Sequence, residues 1–363
     1  MEQNMSSKTI DQVKEYYGEV LSNSDDLKTS ACCPIDAMSP RIQAILKEVE
    51  PEILERFYGC GSPIPEALEG ATVLDLGCGT GRDVYVLSKL VGPKGHVIGV
   101  DMTDEQLDVA RKYLDKQTER FGYDTPNVTL LKGYIEDLAS LDIKDNSIDL
   151  VVSNCVLNLS PDKEKVFSEI FRVLKPGGEL YFSDVFADRR VPQHLQEDLV
   201  LRGECLSGAL YHHDFRRLLQ RLGCADYRIV SQGTIDLIDP EVIHKIGMIN
   251  FSSVTVRAFK LDDLEDVCED YGQVAIYQGT MKECPHTFAL DDHHLFETHK
   301  PMLVCGNTAS MLENTRYSKH FRVVGDRTVH LGEFDCFTPP ASAQGEAPSD
   351  DACCTPSSSG GCC

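Results

Sequence analysis

Between residues 71 and 186, short apolar runs alternate with longer stretches in which apolar side chains return every three or four positions. The runs 72–76, 96–100, 127–131, 148–156 and 178–184 predict strands, and 82–91, 104–121 and 162–174 predict amphipathic helices. Strand and helix in alternation predict an α/β fold, a parallel sheet covered on both faces. Two more runs, 227–232 and 252–259, predict an antiparallel pair completing one edge of that sheet. Residues 1–70 read as an arm with helical stretches at 11–21, 40–49 and 51–58, the second opened by a proline where a missing N–H costs nothing. Residues 187–225 read as an insertion above the sheet, the unit 187–260 joining it to the last strands. Residues 261–338 read as a C-terminal extension with one strand-like run, 273–278. From residue 339 the Pro/Ser/Gly/Ala composition cannot bury enough surface to fold and predicts a flexible tail.

The first strand runs into Asp75-Leu76-Gly77-Cys78-Gly79-Thr80-Gly81-Arg82-Asp83, a sharp turn that lets a ligand lie against bare backbone. The second strand ends in Asp101, an acid placed to hold ribose hydroxyls. The loop reads D-x-G-x-G-x-G, and Arg82 stands where a dinucleotide fingerprint needs its third glycine. Asp75 ahead of the glycines suits a cationic ligand without phosphate. The third strand leads into Gly133-Tyr134-Ile135-Glu136-Asp137, where Glu136 or Asp137 is available to an exocyclic amine. The glycine loop resembles the first motif of S-adenosylmethionine-dependent methyltransferases, and Leu174-Lys175-Pro176-Gly177-Gly178-Glu179-Leu180 resembles their turn into the fifth strand. That resemblance implies a Rossmann-like class I methyltransferase sheet with an N-terminal helical arm, a substrate-binding insertion and a C-terminal extension. It implies a cofactor set in which Asp75, Gly77, Gly79 and Gly81 shape the loop and Asp101 holds the ribose. Met102 would pack on the adenine, Ile135 and Glu136 would meet its edge, and Asn154 and Tyr58 would complete the set.

A net charge of −23 with dispersed lysines and arginines argues against a nucleic-acid substrate. No apolar run is long enough to span a membrane and the first residues lack a signal-peptide core, so a cytoplasmic protein is expected. No heptad or repeat demands an oligomer, and a monomer is expected. The chain carries 15 cysteines, an odd number for which metal binding or catalysis is a better account in a reducing compartment than a disulfide scaffold. No C-x-x-C pair occurs, which disfavours a zinc ribbon or a thioredoxin-like site. Cys155 falls just past the fourth strand, where open α/β sheets bind substrate. Cys60 lies between glycines in the arm, Cys205 lies in the insertion, and the doublet Cys32-Cys33 lies further out. Four segments thus offer sulfur that is able to converge over one site. Cys78, Cys224, Cys268, Cys284, Cys305 and Cys336 read as small buried hydrophobes. The doublets His212-His213 and His293-His294 read as solvated loop residues.

Arg56-Phe57-Tyr58-Gly59-Cys60-Gly61, Ser153-Asn154-Cys155-Val156-Leu157-Asn158-Leu159, Tyr181-Phe182-Ser183-Asp184-Val185 and Gly203-Glu204-Cys205-Leu206 are together similar to the arsenite methyltransferases. This resemblance runs from about Tyr16 to about Gly279. It implies that As(III) is bound by Cys155 and Cys205, with Cys60 as third ligand or redox partner, and methylated stepwise from S-adenosylmethionine. It also implies a disulfide relay through the arm, with Cys32 as the relay thiol by position, although Cys33 beside it is an equal candidate. The chemistry is consistent: a soft centre selects thiolates over oxygen donors, and three thiolates leave arsenic a lone pair to attack the sulfonium methyl. Because methylation oxidises arsenic, a neighbouring thiol is needed to return it to the trivalent state as a protein disulfide, which thioredoxin or glutathione would reopen. Two other readings stay open, a carbon or oxygen methyltransferase of quinone- or sterol-like lipids and a thiol-based metalloid binder without turnover.

Overall fold

The computed structural model describes residues 38–57, 59 and 61–336. The expectations placed on Cys32, Cys33, Tyr58, Cys60, the helix at 11–21 and the tail lie outside these residues. An eight-stranded sheet forms the centre, with order β3-β2-β1-β4-β5-β8-β7 and a short β6 beside β5. Its strands are β1 (Thr72–Leu76), β2 (His96–Asp101), β3 (Val128–Lys132), β4 (Ile148–Asn154), β5 (Leu174–Ala187), β6 (Leu210–Tyr211), β7 (Tyr227–Thr234) and β8 (Phe251–Phe259). The first five run parallel, whereas β8 pairs antiparallel with both β5 and β7. Alternate residues of each strand serve opposite faces. Leu74, Leu76, Val151, Phe182 and Val256 join Phe167 and Phe215 in one core. Val73, Val97, Leu150 and Val152 meet Val84, Leu87, Ile42 and Leu46 in the other.

Helices α1 (Pro40–Leu46), α2 (Pro51–Glu55), α3 (Arg82–Val91), α4 (Asp104–Lys112), α5 (Leu114–Phe121) and α6 (Lys163–Val173) flank this sheet. Asp162 caps α6 by accepting from the Lys165 amide at 3.0 Å. The single helix read at 104–121 is broken at Tyr113, whose φ of −104° and ψ of 3° leave the helical region. Across the bend, Lys112 reaches Glu52 at 2.5 Å and Lys116 on the second half reaches Glu50 at 2.9 Å.

The insertion packs its own small core of Val191, Leu195, Leu201, Leu206, Val242 and Ile246 against the ends of β5 and β8. The C-terminal extension is more structured than a single strand. Strand β10 (Gln273–Tyr277) is the centre of a three-stranded sheet with β13 (Pro301–Val304) and β14 (Phe321–Val324). Ladders β11–β12 (Thr287–Ala289, Leu295–Glu297) and β9–β15 (Glu269–Asp270, Gly332–Glu333) complete it, with α7 (Gly306–Glu313) packed alongside. Tyr277, Phe288, Phe296, Met311, Tyr317 and Phe321 form its core. The extra strands are two to four residues long, too short to show alternation in sequence.

Two sequence expectations fail in this domain. His294 is buried, its ring bonded to Asp291 at 2.8 Å and to Thr308 at 3.4 Å, because Asp291 also accepts from two backbone amides and needs a buried partner. Cys268, Cys305 and Cys336 are not isolated: their sulfurs lie within 4.8 Å of one another. Among the described residues no helix is long and apolar enough to cross a membrane.

Candidate functional site

The glycine loop after β1 and the tips of β2, β3 and β4 enclose a cleft at the C-terminal edge of the sheet. Gly77, Gly79, Asp101, Met102, Ile135, Glu136 and Cys155 are all on its wall. Gly77 has φ +72°, and a β-carbon there would stand 2.3 Å from Val156. Gly79, at φ +53°, meets nothing closer than 3.9 Å, so its missing side chain is open space that a ligand is free to use. Its amide donates to Asp101 Oδ2 at 2.9 Å, while Asp101 Oδ1 accepts from the Thr103 amide at 2.9 Å. Oδ1 also accepts from the Thr103 hydroxyl at 2.5 Å, so Asp101 locks the loop to β2 and keeps further acceptor capacity on Oδ2. Gly81, at φ +90°, is the N-cap of α3 and does not line the cleft.

Asp75 is also off the wall, buried behind the loop, and its Oδ2 has no partner among the described residues. Burial, then the charges of Asp83 and Asp101, push its carboxyl well above the usual range. Arg56, which the sequence reading left without a role, is the one cation among the described residues that line the cleft. The acids Asp101 and Glu136, a single guanidinium and open backbone at Gly79 suit a zwitterionic nucleoside sulfonium better than a pyrophosphate. Filling that space with Gly79→Ala is expected to weaken S-adenosylmethionine binding about tenfold, or about 1.4 kcal/mol, as read by calorimetry.

Asn154, expected to touch the cofactor, has its amide engaged elsewhere: it donates to the Gly61 carbonyl at 2.9 Å and to Asp83 Oδ2 at 3.1 Å. Its carbonyl accepts from the Gly61 amide at 3.3 Å. It therefore pins the arm to the end of β4. Gly61 is needed at that crossing, since a β-carbon would stand 2.4 Å from the Ser183 hydroxyl.

Cys155 and Cys205 come from opposite sides and meet. Their sulfurs and a carboxylate oxygen of Asp184 all lie within 4.8 Å of one another. Both cysteines have left-handed backbones, φ +56° and +59°, a conformation costing an ordinary residue about 1–2 kcal/mol. The surrounding packing fixes them. The Cys155 amide donates to Ser183 O at 2.8 Å, and the buried Cys205 thiol points at the Cys155 carbonyl at 3.3 Å. Gly208 lets the insertion close on the sheet, because a β-carbon there would be 2.0 Å from Asn158 O. Strain held this way at a strand end is a mark of a working site. Cys155 is disulfide-bonded and Cys205 is not.

Asp184 was quoted in a motif but given no role by the sequence; a carboxylate inside the apolar run of β5 was the available signal. It is fully buried and accepts from Asn158 Nδ2 at 2.7 Å, the Asn158 amide at 3.1 Å and the Val185 amide at 2.8 Å. Burial outweighs these donors and pushes its pKa up to about 7. Lys163 nearby is pushed down to about 8 by lost hydration, with Asp184 opposing. Cys78 is a buried filler against Gly99, its thiol raised by burial.

Comparison with known proteins bears on this arrangement. Residues 67–223 match a family model described as a methyltransferase domain, and 271–363 match one described as the arsenite methyltransferase C-terminal domain. The arsenite methyltransferase of Aquipseudomonas alcaligenes is 54% identical over 323 residues, covering 89% of this chain and 93% of that protein. The human arsenite methyltransferase is 41% identical over 362 residues, 97% of this chain and 95% of that one. A crystal structure of an arsenic(III) S-adenosylmethionine methyltransferase from Chlamydomonas reinhardtii superposes with a TM-score of 0.80 at 51% identity, covering 82% of this chain and all of that one. The chain is a member of the arsenite methyltransferase family.

Proposed function

We propose that this chain methylates trivalent arsenic held by protein thiolates, with S-adenosylmethionine as donor. One observation carries the reading: Cys155 on the cleft wall, Cys205 and Asp184 converge on one point beside the glycine loop. When bound, the cofactor supplies an electrophilic methyl group. The chain's own residues bind, align and exclude water. Two soft sulfurs are presented on rigid, strained backbones, and the buried insertion covers them. Cys60 would be the third ligand or the redox partner. The disulfide at Cys155 must be opened before its sulfur is able to ligate, so the working enzyme needs a thiol reductant such as thioredoxin or glutathione. Cys32 or Cys33 would take part in that relay. Asp184 is placed to take the thiol proton released when Cys205 binds arsenic. In this reading the protein acts as a cytoplasmic monomer in arsenic detoxification.

S-adenosylhomocysteine release, measured with and without arsenite in the presence of a thiol, tests the proposal. Release that requires arsenite supports it; arsenite binding without release, or release on a quinone, overturns it.

The proton role makes a second prediction. If Asp184 must be ionised, the rate rises with pH through about 7. Asp184→Asn should flatten that limb and lower turnover by about 100-fold, the low end for a lost general base. Stability has the opposite sign. A carboxyl whose folded pKa is raised contributes fully below its unfolded value, and that contribution is lost as pH climbs through the folded one. The melting temperature of Asp184→Asn relative to the native protein should therefore increase between pH 5 and pH 8. A parallel pair of curves would show that Asp184 does not titrate there.

A further inference from the structure

The C-terminal domain carries a second meeting of sulfurs. The β9–β15 ladder aligns Glu333 with Glu269, and the Phe334 amide donates to Cys268 O at 2.7 Å, which brings Cys336 beside Cys268. Cys305 is the N-cap of α7, and its sulfur accepts from the Thr308 amide at 3.5 Å. The Arg228 guanidinium stands 3.7 Å from the same sulfur. A helix N-terminus and an arginine are the surroundings that favour a thiolate. Hydrogen bonds from Cys268 and Cys336 hold the Cys305 thiol far below its usual range, while the same bonds push Cys268 up to about 12 and raise Cys336. Cys268 and Cys336 open on a cleft of about 830 Å³, and Cys305 is buried beneath them. That cleft shares no lining residue with the one at the glycine loop.

We propose that Cys268, Cys305 and Cys336 form a second, non-catalytic site that binds a trivalent metalloid such as arsenite through three sulfurs. Three thiolates without oxygen donors are a soft set. Structural zinc closes its shell with four protein ligands, and among the described residues no fourth histidine, cysteine or carboxylate joins these three sulfurs within the same distance. Charge points the same way. Arg228 is already matched by Asp226 at 2.7 Å and Asp291 at 3.3 Å, so a neutral tris-thiolate is accommodated better than an anionic zinc one. Binding is a ligand exchange that balances without an oxidant. Three As–O bonds of arsenous acid break and three As–S bonds form. Three protons, from the thiols or from solvent where a sulfur is already ionised, leave with the three oxygens as water, and arsenic stays trivalent. The assignment rests on these sulfurs alone and holds whether or not arsenite is methylated at the first site.

The test uses the reduced full-length protein, sodium arsenite as probe and zinc chloride as competitor. N-ethylmaleimide labelling of Cys268 and Cys336 is read by peptide mass spectrometry. A ligated sulfur is a poor nucleophile, so arsenite should slow labelling of both residues together by about tenfold or more. Cys305→Ser should abolish that protection at both while leaving S-adenosylmethionine binding intact; if that variant does not fold, Cys268→Ser should free Cys336. Arsenic X-ray absorption should show a sulfur-only shell in a chain whose Cys155 and Cys205 are serine. Unprotected Cys268 and Cys336 at saturating arsenite, or protection by zinc that arsenite does not displace, overturns the site. Loss of methylation with protection intact would count against the first site only.

Discussion

Replacing Cys205 by serine is expected to abolish methyl transfer to arsenite, with a loss larger than about 100-fold, since even a partner one shell removed from a ligand costs 10–100-fold. The sulfur is buried, sits on a left-handed backbone and lies within 4.8 Å of the Cys155 sulfur and an Asp184 oxygen. Serine keeps the size and the hydrogen-bonding capacity toward the Cys155 carbonyl, so the local fold should survive. What disappears is the soft donor, because a hydroxyl neither ionises near neutral pH nor competes with water for As(III). Affinity for S-adenosylmethionine should be unchanged, as Cys205 is not on the wall of the cleft beside the glycine loop. Cys155→Ser should show the same loss, with some change in cofactor affinity because that residue does line the cleft. Full methylation by Cys205→Ser at saturating arsenite would show that the two sulfurs do not act as ligands.

Glu179→Ala should destabilise the protein by about 3–5 kcal/mol, the cost of leaving a buried charge without its partner. Glu179 on β5 is fully buried, accepts from Arg257 Nε at 2.6 Å and also pairs with Arg316. Arg257 is itself buried and donates to Leu290 O at 2.5 Å and the Tyr317 hydroxyl at 3.1 Å. The rings of Tyr181, Phe288 and Tyr317 flank its guanidinium. One carboxylate therefore holds two cations at the junction of the central sheet and the C-terminal domain. Removing it takes the close carboxylate from both arginines and leaves Arg257 only Glu66 at 4.0 Å, whereas Glu179→Gln keeps the hydrogen-bond acceptor and should recover part of the loss. The midpoint of urea unfolding reads both effects. An alanine variant as stable as the native chain would mean that the junction is held by apolar packing alone.

Long, strongly periodic elements were legible because their signal lies within one segment. The parallel strands of the core, the antiparallel edge and the helix at 82–91 are each specified by neighbours in the chain. The break at Tyr113 was not, because no glycine or proline marks it in the local pattern. The short strands around β10 were invisible for the opposite reason: each is stable only through its partner. The same division holds for chemistry. Gly77, Gly79 and Asp101 announce themselves by spacing, whereas Asp184 gains its raised pKa from burial that no spacing encodes. Cys268, Cys305 and Cys336 read as unrelated because 68 residues separate the outer two in sequence and only a two-residue ladder brings them together.

The order of residues alone determined the class of fold, the turn that receives the cofactor and the identity of the sulfur-bearing segments, since local sterics and hydrophobic periodicity act along the chain. Tertiary structure alone decided which sulfurs meet, which acid keeps its proton near neutrality and which histidine is buried. Those properties depend on distance and dielectric, and both exist only once distant segments have packed.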